Sequence, residues 1–204
     1  MKLVATCGCS IVAEHDLPKV EVGVRFPSPA HKKHSFMFTP EQRQWIDHLS
    51  DKDRISIFPF DPTAEDKFKV VRQRVQDVLG EKLSVEHHGA TSLSISGQNE
   101  IDIYIPVPRV SFEAMTDSLR NIFGEPRSTY PLNRVRFITE VDGKHVDVFL
   151  INEEQEGWKN LNAFEAYLRS HPEALEEYKR LKEAENGLSV RGYYRRKLNF
   201  LMKY

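Results

Sequence analysis

The stretch Glu100-Ile101-Asp102-Ile103-Tyr104-Ile105 leaves few ways to fold. In an extended strand, residues i and i+2 share a face. Glu100, Asp102 and Tyr104 therefore line one side, and Ile101, Ile103 and Ile105 the other. The isoleucine side must be covered, and helices packed on that face can cover it. The carboxylate side must meet water or a partner, because acids are almost never fully buried alone. A later segment repeats the plan. Val146, Val148 and Leu150 alternate with His145, Asp147 and Phe149. If the two strands are neighbours, three carboxylates converge.

Such a convergence has a known chemical use. Mg²⁺ takes oxygen ligands, and one or two carboxylates plus phosphate oxygens hold it. Two ions can stabilise the attacking and leaving oxygens of an in-line displacement. Gly89-Ala90-Thr91-Ser92, a turn of small residues, starts eleven residues before Glu100. Backbone N–H groups and hydroxyls in such a turn can approach phosphate. The candidate catalytic and Mg²⁺-binding residues, in a two-metal arrangement, are therefore Glu100, Asp102 and Asp147. Gly89, Thr91 and Ser92 are candidates for nucleotide binding, and so is Lys197 of Arg195-Arg196-Lys197 as a point charge.

Each candidate has a plainer alternative. Acid-x-acid alternation is common on half-exposed strands. Gly89 can be a turn glycine needing positive φ. Lys197 can belong to a solvated helix face. His87 and His88 point to opposite sides of a strand, so they cannot share a metal; one is expected to be packed or hydrogen-bonded. His145 either orients Asp147 or sits at the surface. Arg134 and Arg136 flank the cleft if the register places them there. Trp45, Trp158, Phe164 and Tyr167 read as packing residues.

The chain has 204 residues, enough for one domain with a sizeable core. Its formal charge of −1 argues against a broad nucleic-acid footprint. No apolar run is long enough to span a membrane. The two cysteines, Cys7 and Cys9, make no disulfide framework, and with His15 they make a poor metal site. A reducing, cytoplasmic setting is expected. Residues 1–36 read as an irregular extension, with Pro18, Pro27 and Pro29 and no sustained periodicity. Val24-Arg25-Phe26-Pro27 is what GTT-CGA-TTC-CC encodes, a string like the T-arm of a transfer-RNA gene. The expectation is that translation starts at Met37 and that residues 37–204 form the working domain; a genuine flexible arm is the alternative.

Within that domain the spacing predicts helices over 40–49 and 63–79, with Thr63 and Asp66 as a capping box. The stripe of the second is Phe68, Val71, Val75, Val78 and Leu79. Strands are expected at 55–58, 83–88 and 101–106. A helix capped by Ser111 runs to Phe123. Asp142-Gly143 between alternating segments signals a hairpin of 135–141 with 144–150. Helices follow over 158–170, 172–186 and 191–203. The fold class is α+β: a mixed β-sheet flanked by α-helices, with C-terminal helices.

Several stretches together resemble the GrpB-like family of the nucleotidyltransferase-fold superfamily. They are Ile57-Phe58-Pro59-Phe60-Asp61-Pro62, Glu86-His87-His88-Gly89-Ala90-Thr91-Ser92 and Gly97-Gln98-Asn99-Glu100-Ile101-Asp102-Ile103. Asn162 to Pro172, then Tyr178-Lys179-Arg180-Leu181-Lys182, and Tyr194, Lys197 and Phe200 continue the match, which covers roughly 55–203. The resemblance implies a nucleotidyltransferase-like sheet. It also implies Mg²⁺-dependent transfer of a nucleoside monophosphate from a nucleoside triphosphate to an acceptor hydroxyl. Ala90 stands where the superfamily usually has a phosphate-binding Ser, so Thr91 or Ser92 must supply any hydroxyl. Glu100 replaces the first Asp of Asp-x-Asp, and Asp147 stands where many relatives have His.

Two functions compete. One is a Mg²⁺-dependent nucleotidyltransferase acting on an unidentified small molecule or protein side chain. The other is an inactive module that keeps the fold and binds a nucleotide or a protein. RNA adenylylation is a weaker third, because the mildly acidic charge disfavours tight RNA binding.

Overall fold

The computed structural model describes residues 38–203. The expectations for residues 1–36, including the Cys7–Cys9 stretch, lie outside the described residues. The described chain opens with helix α1 (Pro40–His48), started by Pro40 at its first position. Thr39 Oγ1 accepts from the Gln42 N–H at 3.2 Å, and Gln42 Oε1 accepts from the Thr39 N–H at 2.9 Å. The two bonds close a capping box that satisfies helix-start donors.

The capping box expected at Thr63 does not form. Thr63 donates both its N–H (2.9 Å) and its hydroxyl (2.6 Å) to Asp61 Oδ1. Asp61 is the stronger acceptor, and it lies on the incoming side of helix α2 (Ala64–Leu79). The buried face of α2 is Ala64, Phe68, Val71 and Val75. Val78, expected on that stripe, is 61% exposed. The step of four from Val75 lands on Leu79, which packs against the core instead. Residues 55–58 do not form a sheet strand. Phe58 makes an isolated bridge to Gly97, and Arg54, just before the segment, makes one to Ser189, in a different part of the chain.

Strand β1 (Glu86–His88) runs into the single turn α3 (Gly89–Ser92), followed by β2 (Glu100–Val107). Helix α4 (Phe112–Phe123) comes next; a short 3₁₀ turn over Arg109–Ser111 leads into it, and Ser111 makes no side-chain cap. Strand β3 (Ser128–Tyr130) has three part-exposed or exposed residues and no alternation, so it left no signal in the sequence. Strands β4 (Arg134–Val141) and β5 (Lys144–Asn152) form the expected hairpin. Its turn residues Asp142 and Gly143 have φ of 49° and 74°. Positive φ at both positions is what a two-residue type I′ turn requires. Helices α5 (Glu156–Ser170), α6 (Pro172–Ala184) and α7 (Val190–Leu201) complete the described chain.

The sheet order is β1-β2-β5-β4-β3. β2 and β5 are parallel, and every other pair is antiparallel. One face carries Ile101, Ile103, Ile105, Val146, Val148, Leu150, Val135 and Phe137, packed with residues of α2 and α4. The helices supply the cover that the isoleucines demand. Over the other face, Trp158 of α5 stacks on Tyr104 (5.6 Å between centroids) and meets His88 edge-on at 5.2 Å. Phe164, Tyr178 and Phe200 join α5, α6 and α7 in a second core. Helix α1 closes on α7 through Trp45 and Tyr194, edge-to-face at 5.3 Å. No described helix is long and apolar enough to cross a membrane.

Candidate functional site

The β2–β5 register places Asp102 opposite Asp147 and Glu100 opposite His145. The three acids therefore share one face of two adjacent strands. β1 brings His88 opposite Asp102 on the other flank, and Gly89 follows at once. Gly89 has φ of +77°, and a Cβ built on it would stand 2.1 Å from Asp102 Oδ2. The glycine thus serves both the turn and the close approach of a carboxylate. Gly89→Ala is expected to cost about 1–2 kcal/mol from the left-handed backbone alone. It also forces the Asp102 carboxylate aside. A thermal melt reads the combined cost.

Asp147 is 3% exposed and heavily engaged. Arg136 donates from Nε to Oδ1 at 2.9 Å and from Nη2 to Oδ2 at 2.8 Å. His145 Nε2 lies 3.0 Å from Oδ1 and donates there. Burial works to raise the Asp147 pKa, but the His145 hydrogen bond and the Arg136 charge outweigh it and hold it below the ordinary value. The same hydrogen bond raises His145 above its ordinary value. A carboxylate offers about four lone-pair sites, and three are taken here. Of the two alternatives for His145, the structure has the one that bonds Asp147 rather than a surface position; of the two arginines, Arg136 reaches Asp147 while Arg134 lies over the Tyr130 and Phe149 rings.

Ligand atoms of Glu100, His145 and Asp147 all lie within 4.8 Å of one another, so this cluster could hold a metal ion. Its carboxylates are hard oxygen donors of the kind Mg²⁺ takes. Asp102, expected to ligate beside Glu100, is not one of the three.

The glycine turn is held by a buried acid that the sequence reading missed. Glu165, on α5, accepts from the Gly89 N–H at 2.8 Å. It also takes Arg169 Nη2 at 3.3 Å and lies 3.1 Å from His88 Nδ1, off hydrogen-bond geometry. Glu165 falls seven residues after Trp158, on the buried stripe with Leu168. An acid on an apolar stripe must be partnered, and that was the available signal. Burial disfavours charge on His88, yet Glu165 and Glu86 outweigh it and raise its pKa.

The two turn hydroxyls go different ways. Thr91 Oγ1 lies 2.9 Å from His87 Nε2, and the other nitrogen of that ring is 3.1 Å from Glu65. His87 also stacks on Phe68, which places this group on the α2 side. Ser92 Oγ donates to the Gly89 carbonyl (3.0 Å) and accepts from Arg169 (3.1 Å). His87 and His88 therefore do point to opposite sides.

Lys197 is half-buried, after exposed Arg195 and Arg196. Its Nζ sits 5.7 Å from the Tyr194 ring, and the Tyr178 phenol raises its pKa well above the ordinary value. Asp102 is among the groups that hold it charged. Lys182, 6% exposed, lies 5.2 Å from the Tyr178 ring and feels Asp102 as well. Lys182 is eight residues from Ala174 and four from Tyr178, on the buried stripe of α6.

A five-stranded mixed sheet with helices on both faces, and an acid pair beside a glycine turn, agrees with the nucleotidyltransferase-like fold of the family to which the chain belongs. The chain belongs to the GrpB family: the family model described as GrpB protein matches residues 54–204. Among solved structures, the crystal structure of conserved protein GrpB from Enterococcus faecalis is similar at 20% identity and a TM-score of 0.52. The match covers 72% of this chain and 89% of that one, and it bears on the fold alone. No curated protein matches the chain. Helix α1 precedes the family match, yet it packs on α7 within it.

Proposed function

We propose that this protein is a Mg²⁺-dependent nucleotidyltransferase that moves a nucleoside monophosphate from a nucleoside triphosphate to a hydroxyl of an acceptor. The observation that supports the reading best is the register of Asp102 against Asp147, with Gly89 packed on the Asp102 carboxylate. Glu100 and Asp102 are the residues that would hold Mg²⁺. When bound, the ion neutralises phosphate charge and stabilises the leaving oxygens. Asp147, engaged by Arg136 and His145, keeps one lone-pair site for an ion.

In the reaction, the acceptor oxygen bonds to the α-phosphorus and the α–β bridging P–O bond breaks. The electron pair leaves with pyrophosphate. The acceptor proton departs to solvent at the half-exposed Glu100 end of the face. Asp147, held deprotonated by its partners, fixes the Arg136 guanidinium on the cleft floor rather than acting as a strong base. Lys197 offers positive charge to phosphate, and Gly89 and Ser92 shape the turn beside it. Thr91, committed to His87, contributes packing.

One set of observations favours the second reading, an inactive nucleotide- or protein-binding module. Asp147 is already neutralised, Ala90 brings no hydroxyl, and Thr91 turns away. Incubation with α-labelled and γ-labelled triphosphates separates the two. Transfer expects label from the α position in an acceptor from host extract, with pyrophosphate released in equal amount and both lost in Asp102→Asn. Binding of nucleotide with no release of pyrophosphate under any acceptor condition supports the module.

A further inference from the structure

Arg134 carries a charge that no carboxylate among the described residues balances at close range. It stands two residues before Arg136 on β4, and the register sets Arg134 opposite Ile151 and Arg136 opposite Phe149. Directly opposed residues share a face, so both arginines lie on the face of Asp147 and Phe149. Both guanidiniums stand over the Phe149 ring, at 5.7 Å for Arg134 and 5.9 Å for Arg136. Arg136 is neutralised by Asp147. Among the described residues, Arg134 has no carboxylate within the 4 Å reach of an ion pair, and its enclosed Nε has no hydrogen-bond partner. Two guanidiniums thus share one carboxylate, and a positive charge is left over. The Tyr130 ring, opposite Arg134 on β3, lies 5.0 Å from its guanidinium. Two rings therefore fix the side chain, as cation–π contacts can. Arg134 is only half-buried, so the enclosed Nε leaves the two Nη groups as its open end. A planar fork of N–H donors matches two oxygens of a carboxylate or a phosphate.

We propose that the Nη groups of Arg134, held between Tyr130 and Phe149, bind an oxyanion, carboxylate or phosphate, carried by the acceptor, so that the acceptor is an anionic hydroxy compound rather than a neutral alcohol. The assignment of the oxyanion to an acceptor rests on the transferase reading above; the oxyanion site itself does not. The sheet order β1-β2-β5-β4-β3 puts the glycine turn, which follows β1, on one flank of Asp102 and Asp147, and the arginines on the other. An in-line displacement brings the attacking oxygen from the side opposite the leaving group. With the triphosphate at the turn, the acceptor enters over β4. Along β5, Phe149 is two residues from Asp147, roughly 7 Å in an extended strand. An acceptor whose hydroxyl and oxyanion are separated by about that length reaches from Arg134 to the acids.

The test uses the full chain and three probes of similar reach: ω-hydroxyhexanoate, ω-hydroxypentyl phosphate and uncharged hexanediol. They are titrated without triphosphate or Mg²⁺ and followed by NMR shifts, with thermal melts alongside. Wild type is expected to bind at least one charged probe about tenfold or more tightly than the diol, the scale of a hydrogen bond to a charged group. Which charged probe wins tells carboxylate from phosphate. Arg134→Met should erase the preference and Arg134→Lys should restore part of it. Tm should stay within a few degrees in both, because either stem still covers the Phe149 ring. No preference for a charged probe in wild type overturns the proposal. A preference that survives Arg134→Met overturns it too. So does a preference lost only in step with folded protein, which would make Arg134 a structural clamp on the two rings. A second arm adds α-labelled triphosphate and Mg²⁺. Arg134-dependent binding of a charged probe without label transfer to it keeps the oxyanion site and removes its assignment to the acceptor. Label transfer to the diol as readily as to the charged probes, untouched by Arg134→Met, keeps the transferase reading and sinks the site.

Discussion

Asp147→Ala is expected to destabilise the protein by about 3–5 kcal/mol, the cost of leaving a buried charge without its partner. The pair is well shielded: side-chain exposure is 9% for Arg136 and 5% for Asp147. Little solvent screening reduces the effect. For a domain of this size about 2–4 °C of Tm goes with each kcal/mol, so melting should fall by roughly 6–20 °C. The Arg136→Met, Asp147→Leu double variant should recover most of the loss, because well-packed apolar pairs replace buried ion pairs at small cost. The pH dependence follows the two shifts. Asp147 has its native pKa lowered from 3.8, so its contribution is complete above that value and is lost as pH falls through the native pKa. His145 is raised from 6.5, so its contribution is complete below that value and is lost as pH rises through the raised one. Asp147→Asn should flatten both limbs of stability against pH. Denaturant melts across that range check it. A drop under about 1 kcal/mol in Asp147→Ala would fit a loosely held carboxylate free for metal.

Asp102→Ala should behave in the opposite way, with binding abolished and the fold retained. Its carboxylate sits on a half-buried strand position against Gly89. Mg²⁺-dependent affinity for the triphosphate should fall by about a hundredfold or more, on the scale of losing one oxygen ligand from a site held by one or two carboxylates. Tm should stay within a few degrees. Loss of binding only in proportion to loss of folded protein would remove Asp102 from the site.

The contrast between these acids marks how far sequence reasoning reached. Strand alternation and the Asp142-Gly143 turn were enough to place Glu100, Asp102 and Asp147 on common faces. These are local patterns with a fixed period. The parallel pairing of β2 with β5 is a crossover property that no local pattern carries. Nor could alternation say which acid Arg136 claims, because that depends on β4 register and side-chain reach. Strand β3 was invisible because its pairing partner, not its own residues, makes it a strand. Residues 55–58 looked like a strand by composition, but their backbone partners are Gly97 and, much further along the chain, Gly187 and Leu188. Glu165 and Lys182 were legible in principle as charges on buried helical stripes. Reading those stripes for their polar exceptions finds Glu165, which holds the turn, and Lys182, which lies against the Tyr178 ring.

In the proposed function Glu100 and Asp102 form a Mg²⁺-dependent triphosphate site. Titration of the full chain with ATP, GTP, CTP and UTP, each with and without Mg²⁺, tests it most directly. The account predicts Mg²⁺-dependent binding of at least one triphosphate, lost in Glu100→Ala and in Asp102→Ala while both variants keep their melting transition. Binding that is indifferent to Mg²⁺, or that survives both substitutions, would contradict it.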